Sequence, residues 1–136
     1  MNGLANGMYG GDLANNINTP WIDFSEQSTI VGWGSYTRKI IKYKVVGNMV
    51  YVFVSIAGTS NSTSLNFSLP FIIKGLLGIP YSYLADNGSF QLGFIAQTTS
   101  PTNILNAYRF TAFNNATTTF TASGIKEISC QFFYEI

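Results

Sequence analysis

The sequence has no histidine, one cysteine and very few charges: 7 Lys and Arg against 6 Asp and Glu, for a formal net charge of +1. Each shortage removes a class of function. Without histidine there is no Ser-His-Asp triad, no Cys-His pair and no histidine-bearing zinc site. Cys130 has no partner for an intramolecular disulfide. It lies in an alternating run near the C-terminus and reads as a buried structural thiol. The acids Asp12, Asp23, Glu26, Asp86, Glu127 and Glu135 are scattered along the chain. A glycosidase needs two carboxylates about 5 to 10 Å apart; strands could bring Asp23 near Glu127, but no spacing marks such a pair. The expectation is a protein that is not an enzyme and uses neither cofactor nor metal. Asp86-Asn87-Gly88 is a fragment of a calcium-loop pattern, yet turn chemistry accounts for it better.

The scarcity of charge also bears on partners. Arg38, Lys39, Lys42 and Lys44 form the densest basic cluster, and strand alternation splits it between two faces, so no nucleic-acid stripe is expected. No apolar run reaches transmembrane length, and the N-terminus lacks a charged region followed by an apolar one. Membrane insertion is therefore not expected, and no signal peptide is evident. A chain this poor in charge has a surface covered by uncharged polar groups or partly buried against other subunits.

What is present is apolar and aromatic surface: 46% hydrophobic residues and 15% aromatics in 136 residues. That suffices for the core of one domain without disulfides or metal. Residues 1–20, dense in Gly and Asn, carry too few apolar groups to order alone. They are expected to be a flexible arm, or to lie against a neighbouring subunit; residues 21–136 then form the domain.

Arg38 to Ala57 is the clearest element: two long alternating strands about Gly47-Asn48, a dipeptide suited to a tight hairpin. The turn predicts Val46 opposite Met49, Val45 opposite Val50, Tyr43 opposite Val52 and Ile41 opposite Val54. A slip of one residue would put lysines where valines belong, so the register is well specified. Short strands are expected at Trp21–Phe24 and Thr29–Trp33, around the polar turn Ser25–Ser28. Gly58–Ser64 reads as a loop, and Leu65–Leu69 as a strand stopped by Pro70. Residues 71–83 read as short strands and turns. Asp86–Ser89 is a turn, after which Phe90, Leu92, Phe94 and Ala96 form one face of a strand. Further strands are expected over 104–113, 117–122 and 128–136. About eight strands and no convincing helix predict an all-β protein, an antiparallel β-sandwich of jelly-roll type, with a closed barrel as the second choice.

Two features invite a functional reading. Ile40, Met49, Tyr51 and Phe53 share the second face of the hairpin with Lys42 and Lys44. Either a loop or the arm covers them, or they form a subunit interface, where aromatics, Met and lysine stems are favoured. Trp33, between Gly32 and Gly34, is either a core residue or an exposed ring on which a sugar stacks.

Three passages together resemble the small C-terminal β-domains of bacteriophage tail-fibre, tail-tip and related virion proteins. They are Trp33 to Val54; Ile56 to Ser62 running into Leu65-Asn66-Phe67-Ser68-Leu69-Pro70; and the ending Phe132-Phe133-Tyr134-Glu135-Ile136. The resemblance implies a β-sandwich, usually trimeric, that attaches a virion to its host or decorates it, with a host cell-surface glycan or protein as partner. It implies no particular binding residues. Such domains normally end a long fibre, whereas this chain begins with Met1 and has no shaft. The alternative is a monomeric carbohydrate-binding module, suggested by Trp21, Trp33 and the many tyrosines.

Overall fold

The computed structural model describes residues 18–75, 78–80, 83–97, 101–110 and 117–136. The strands are β1 (Ile22–Asp23), β2 (Ile30–Val31), β3 (Trp33–Val46), β4 (Met49–Ser60), β5 (Asn66–Ile73), β6 (Gly78–Pro80), β7 (Tyr83–Asp86), β8 (Ser89–Phe90), β9 (Gly93–Ala96), β10 (Thr102–Phe110), β11 (Thr117–Thr118) and β12 (Ile125–Glu135). Sheet one has the order β1-β3-β4-β12-β7-β8. Sheet two has the order β2-β5-β10-β9-β6, with β11 on β10. The named pairings are all antiparallel. The sheets pack face to face as a β-sandwich, as the strand pattern predicts.

The hairpin has the predicted register residue for residue, from Val46 opposite Met49 to Ile41 opposite Val54. Gly47 takes a positive φ of 62° while Asn48 does not, the sign pattern of a type II′ turn, whose twist matches that of the strands. β12 then lies along the whole of β4, from Ile125 opposite Thr59 to Glu135 opposite Met49. The core is the sum of the inward faces. Ile41, Val50, Val52, Val54, Ile56, Leu84 and Ile128 come from sheet one, and Phe67, Leu69, Ile95 and Leu105 from sheet two. Burying each large aliphatic side chain is worth about 1.5–3 kcal/mol over leaving it exposed.

Four expectations are corrected. The Gly58–Ser64 loop begins later, because β4 continues to Ser60. Gly58 is there for close approach: a Cβ on it would lie 1.9 Å from the Ser35 carbonyl oxygen, beside the register shifts that bend β3. Pro70 does not stop β5, which runs on to Ile73. The proline falls between the Ser68 and Ile73 pairings, where the ladder with β10 shifts register and lets the chain omit one donor. Phe90 to Ala96 is two strands in different sheets, and its inward residue is Ile95, fully buried, while Phe90 and Leu92 are exposed. Finally, Asn18 bridges Val46, and Thr19 exchanges bonds of 2.9 Å with Val45, so the last residues of the expected arm belong to the sandwich. Residues 1–17 of that arm, like 111–116 of the expected strands, lie outside the described residues.

Candidate functional site

The outward face of sheet one is built by the same alternation that fills the core. With Ile41, Tyr43 and Val45 turned inward, β3 presents Ile40, Lys42, Lys44 and Val46 outward. Strand pairing then sets rows across the sheet: Ile40 with Ser55, Ser129 and Tyr83; Lys42 with Phe53 and Gln131; Lys44 with Tyr51 and Phe133. Trp21 stands just before β1, whose Ile22 is level with Tyr43, and so extends the Lys44–Tyr51–Phe133 row. The four residues predicted to share a face, Ile40, Met49, Tyr51 and Phe53, do share it.

This row carries much exposed apolar surface. Trp21 is 46%, Tyr51 41% and Phe133 57% exposed. Tyr51 and Phe133 touch with ring centroids 5.7 Å apart, and the Lys42 ammonium lies 5.2 Å from the Trp21 ring and 5.1 Å from that of Phe53. Two shallow dents of about 240 and 200 Å³ share Trp21 and Tyr51 as walls; the first extends to Gln131 and Phe133, the second to Lys44 and Val46. Charges of both signs border the row. Asp23 is opposite Lys42, and Glu135 accepts a bond of 3.1 Å from the Asn48 amide. Further along, Arg38 pairs with Glu127 and donates to Ser55 at 2.6 Å.

Trp33 is not a platform for a sugar. It is buried at 5% exposure, and its indole N–H donates to the Lys126 carbonyl at 2.8 Å. The exposed tryptophan is Trp21. Phe133 was legible as an outward residue once 128, 130, 132 and 134 are read as inward. Trp21 was not, because no local turn ties its register to β3.

Among the described residues the acids do not assemble. Asp23 and Glu127 are separated by the strand order β1-β3-β4-β12, three spacings or about 14 Å sideways. Asp23 is also level with Gln131, four residues from Glu127. Its carboxyl accepts from the Ser25 hydroxyl at 2.6 Å and from the Ser25 N–H at 2.9 Å. These two bonds, the hydroxyl's first, hold it below the ordinary aspartate value, with help from the Lys39 charge. Asp86 is buried. It accepts from the Thr121 hydroxyl at 2.8 Å and N–H at 3.0 Å, and lies 3.3 Å from Arg109. Among the described residues no group of three acids or thiols comes together.

Lys126 was not foreseen. It points inward from β12 and is fully buried, donating to the Ser62 carbonyl at 2.8 Å and the Gly32 carbonyl at 3.4 Å, with Phe120 5.1 Å away. Desolvation lowers its pKa, and the Asp86 charge opposes that. With both carbonyls fixed and Trp33 on its own backbone, Lys126 ties β2–β3 and the loop after β4 to the end of the sandwich. It is a clamp, since nothing exposes it to a substrate.

No family model, curated protein or solved structure matches the chain. The site therefore rests on its own geometry. The arrangement offers flat stacking surface, lysine stems and shallow dents, which suits burial against another surface.

Proposed function

We propose that the protein is a non-enzymatic binding domain that works as a homo-oligomer, a trimer by preference, in host attachment or decoration of a virion. The observation that carries this reading is the Trp21–Lys44–Tyr51–Phe133 row. Contiguous aromatic surface of this kind, rimmed by polar groups, marks interaction sites on soluble proteins. Its composition, aromatic and methionine side chains with lysine stems alongside, is that of an interface core. A second copy is the occupant it suits best. The face carries Lys42 and Lys44 together with Asp23 and Glu135, so two copies can match charge as well as bury rings. The resemblance of residues 30–70 and of the C-terminus to virion β-domains adds the attachment role, in which several weak sites on one particle act together.

Light scattering on the purified protein tests this: a multiple of the chain mass at micromolar concentration supports it, and a monomer there removes it. A monomeric carbohydrate-binding module is the second reading, favoured by the exposed indole of Trp21. A monomer whose glycan binding is lost in Trp21→Ala would select it.

A further inference from the structure

The opposite side of the sandwich carries a feature of different chemistry. One edge of β10 is shared by two strands. β5 pairs with it from Thr102 to Asn106, and β11 from Arg109 to Phe110. Between them the chain segments on either side are held by single bonds: Ala107 N–H to the Leu65 carbonyl at 2.9 Å, and Phe120 N–H to the Thr63 carbonyl at 3.1 Å. The interruption leaves a notch of about 270 Å³ at the level of Ala107 and Tyr108. Thr63, Ser64, Asn106 and Thr119 supply its hydroxyl and amide groups, and Tyr108 supplies an aromatic wall. Tyr108 is set by stacking on Phe94, with centroids 5.0 Å apart and planes at 24°.

Among the described residues, no charged side chain lines this notch. Two cations stand close by and both are engaged. Arg109 Nε donates to the Thr119 carbonyl at 2.8 Å and lies 3.3 Å from Asp86, while its Nη1 donates to Gln91 at 3.2 Å. Lys126, buried behind Phe120, donates to the Ser62 and Gly32 carbonyls. A phosphate, carboxylate or ammonium would find no counter-charge to offset its desolvation. A neutral ligand with many hydroxyls and an apolar ring face matches both the polar rim and the aromatic wall. The volume is at the small end for ligand sites and takes one sugar ring rather than an extended polymer.

We infer that the notch between β5, β10 and β11 binds a single neutral hexopyranose unit, with the hydroxyl groups of Thr63, Ser64 and Thr119 on its hydroxyls and Tyr108 against its ring. This deepens the attachment reading and rests on it for its use. Copies joined through sheet one would turn their notches outward, so that a weak contact per copy gains avidity on a glycan-bearing surface. The binding itself does not need assembly, which keeps the two readings separable.

The test is a titration of isotope-labelled full-length protein with the methyl glycosides of glucose, galactose, mannose and N-acetylglucosamine. Glucuronate and a neutral Gly-Asn-Ser tripeptide are run alongside, and amide shifts are followed. At least one neutral glycoside is expected to bind with millimolar affinity and to shift Ser64, Tyr108 and Phe120. Ser64→Trp, an exposed rim position, is expected to weaken binding at least tenfold by filling the notch. Thr119→Ala serves as the smaller second variant, with a several-fold loss. Phe133→Glu, on the other face, is expected to leave binding per chain unchanged whatever it does to the mass. Shifts centred on Trp21 or Tyr51, equal binding of glucuronate or the tripeptide, or no response from any glycoside would each overturn the assignment.

Discussion

The two outer faces of this sandwich share a backbone pattern and differ in what their side chains can do. Sheet one turns out a continuous row from Trp21 through Lys44 and Tyr51 to Phe133, because β3, β4 and β12 are long and in uninterrupted register there. Sheet two has aromatics as well, Phe94 stacked on Tyr108 and packed against Phe110, but its central strand changes neighbours midway and leaves a notch. A long unbroken ladder makes a flat surface suited to another flat surface. A shared, interrupted edge makes a concavity suited to a small molecule. The difference lies in strand length and pairing more than in composition.

The strongest challenge to that comparison is to show that the sheets differ inside as well. Ile41 of sheet one and Leu105 of sheet two are both fully buried. Ile41→Ala and Leu105→Ala should each cost about 2–5 kcal/mol in denaturant unfolding, as large-to-small core changes do. A much smaller loss at one of them would mean that its sheet is not part of a common core.

A second contrast concerns titration, for β12 of sheet one carries Cys130, Lys126 and Tyr134 inward. Burial pushes the Cys130 thiol from 9.0 up to about 12. The folded protein therefore keeps this proton after the unfolded chain has lost it. The stabilising contribution is intact below pH 9 and falls by about 1.4 kcal/mol per pH unit above it, until the folded group itself ionises. Tyr134 is shifted upward mainly by burial and acts in the same direction. Lys126 acts oppositely: its depressed pKa means that the unfolded chain binds the extra proton, so its contribution improves as pH rises towards its ordinary value of 10.5. The Cys130 part is isolated by comparing wild type with Cys130→Val in denaturant series from pH 8 upward, as about those values bracket the ordinary thiol range. A stability difference that stays constant with pH would refute the buried thiol.

Matched substitutions sharpen the contrast between the outer faces. Phe133→Glu on sheet one should weaken association by about 2 kcal/mol or more, the loss typical of a central aromatic anchor. Ile72→Glu, at a similarly exposed position on β5 of sheet two, should leave the mass in solution unchanged. Sedimentation of both variants decides the matter; equal effects would erase the distinction. The smallest effect expected is at Lys42, whose ammonium lies near the rings of Trp21 and Phe53. Lys42→Gln should cost about 0.5–1 kcal/mol of stability, the size of an exposed cation–π contact, and no change by chemical denaturation would show that the rings gain nothing from the charge.

How much of this was legible in the sequence depends on whether a strand has one apolar face or two. The Arg38–Ala57 hairpin was readable to the residue, because its turn sets the register and the lysines mark the outside. Phe90–Ala96 was misread because both of its faces are apolar: Phe94 and Ala96 compete with Ile95, and only packing of the second sheet decides in favour of Ile95. Lys126 escaped for the reverse reason. It has the parity of Ile128 and Cys130, so the alternation places it inside, but a charged residue at a strand end reads as solvent-exposed until the carbonyls of Gly32 and Ser62 are seen to receive it. The notch could not be read at all, since it depends on which strands divide the edge of β10.

The most direct measurement is the mass of the wild-type protein in solution by light scattering across the micromolar range. If the sheet-one row joins copies of the chain, the mass is a multiple of 14.9 kDa, and it falls to a single chain in Phe133→Glu with the β-rich circular dichroism spectrum retained. A wild-type mass of one chain throughout that range would contradict the account.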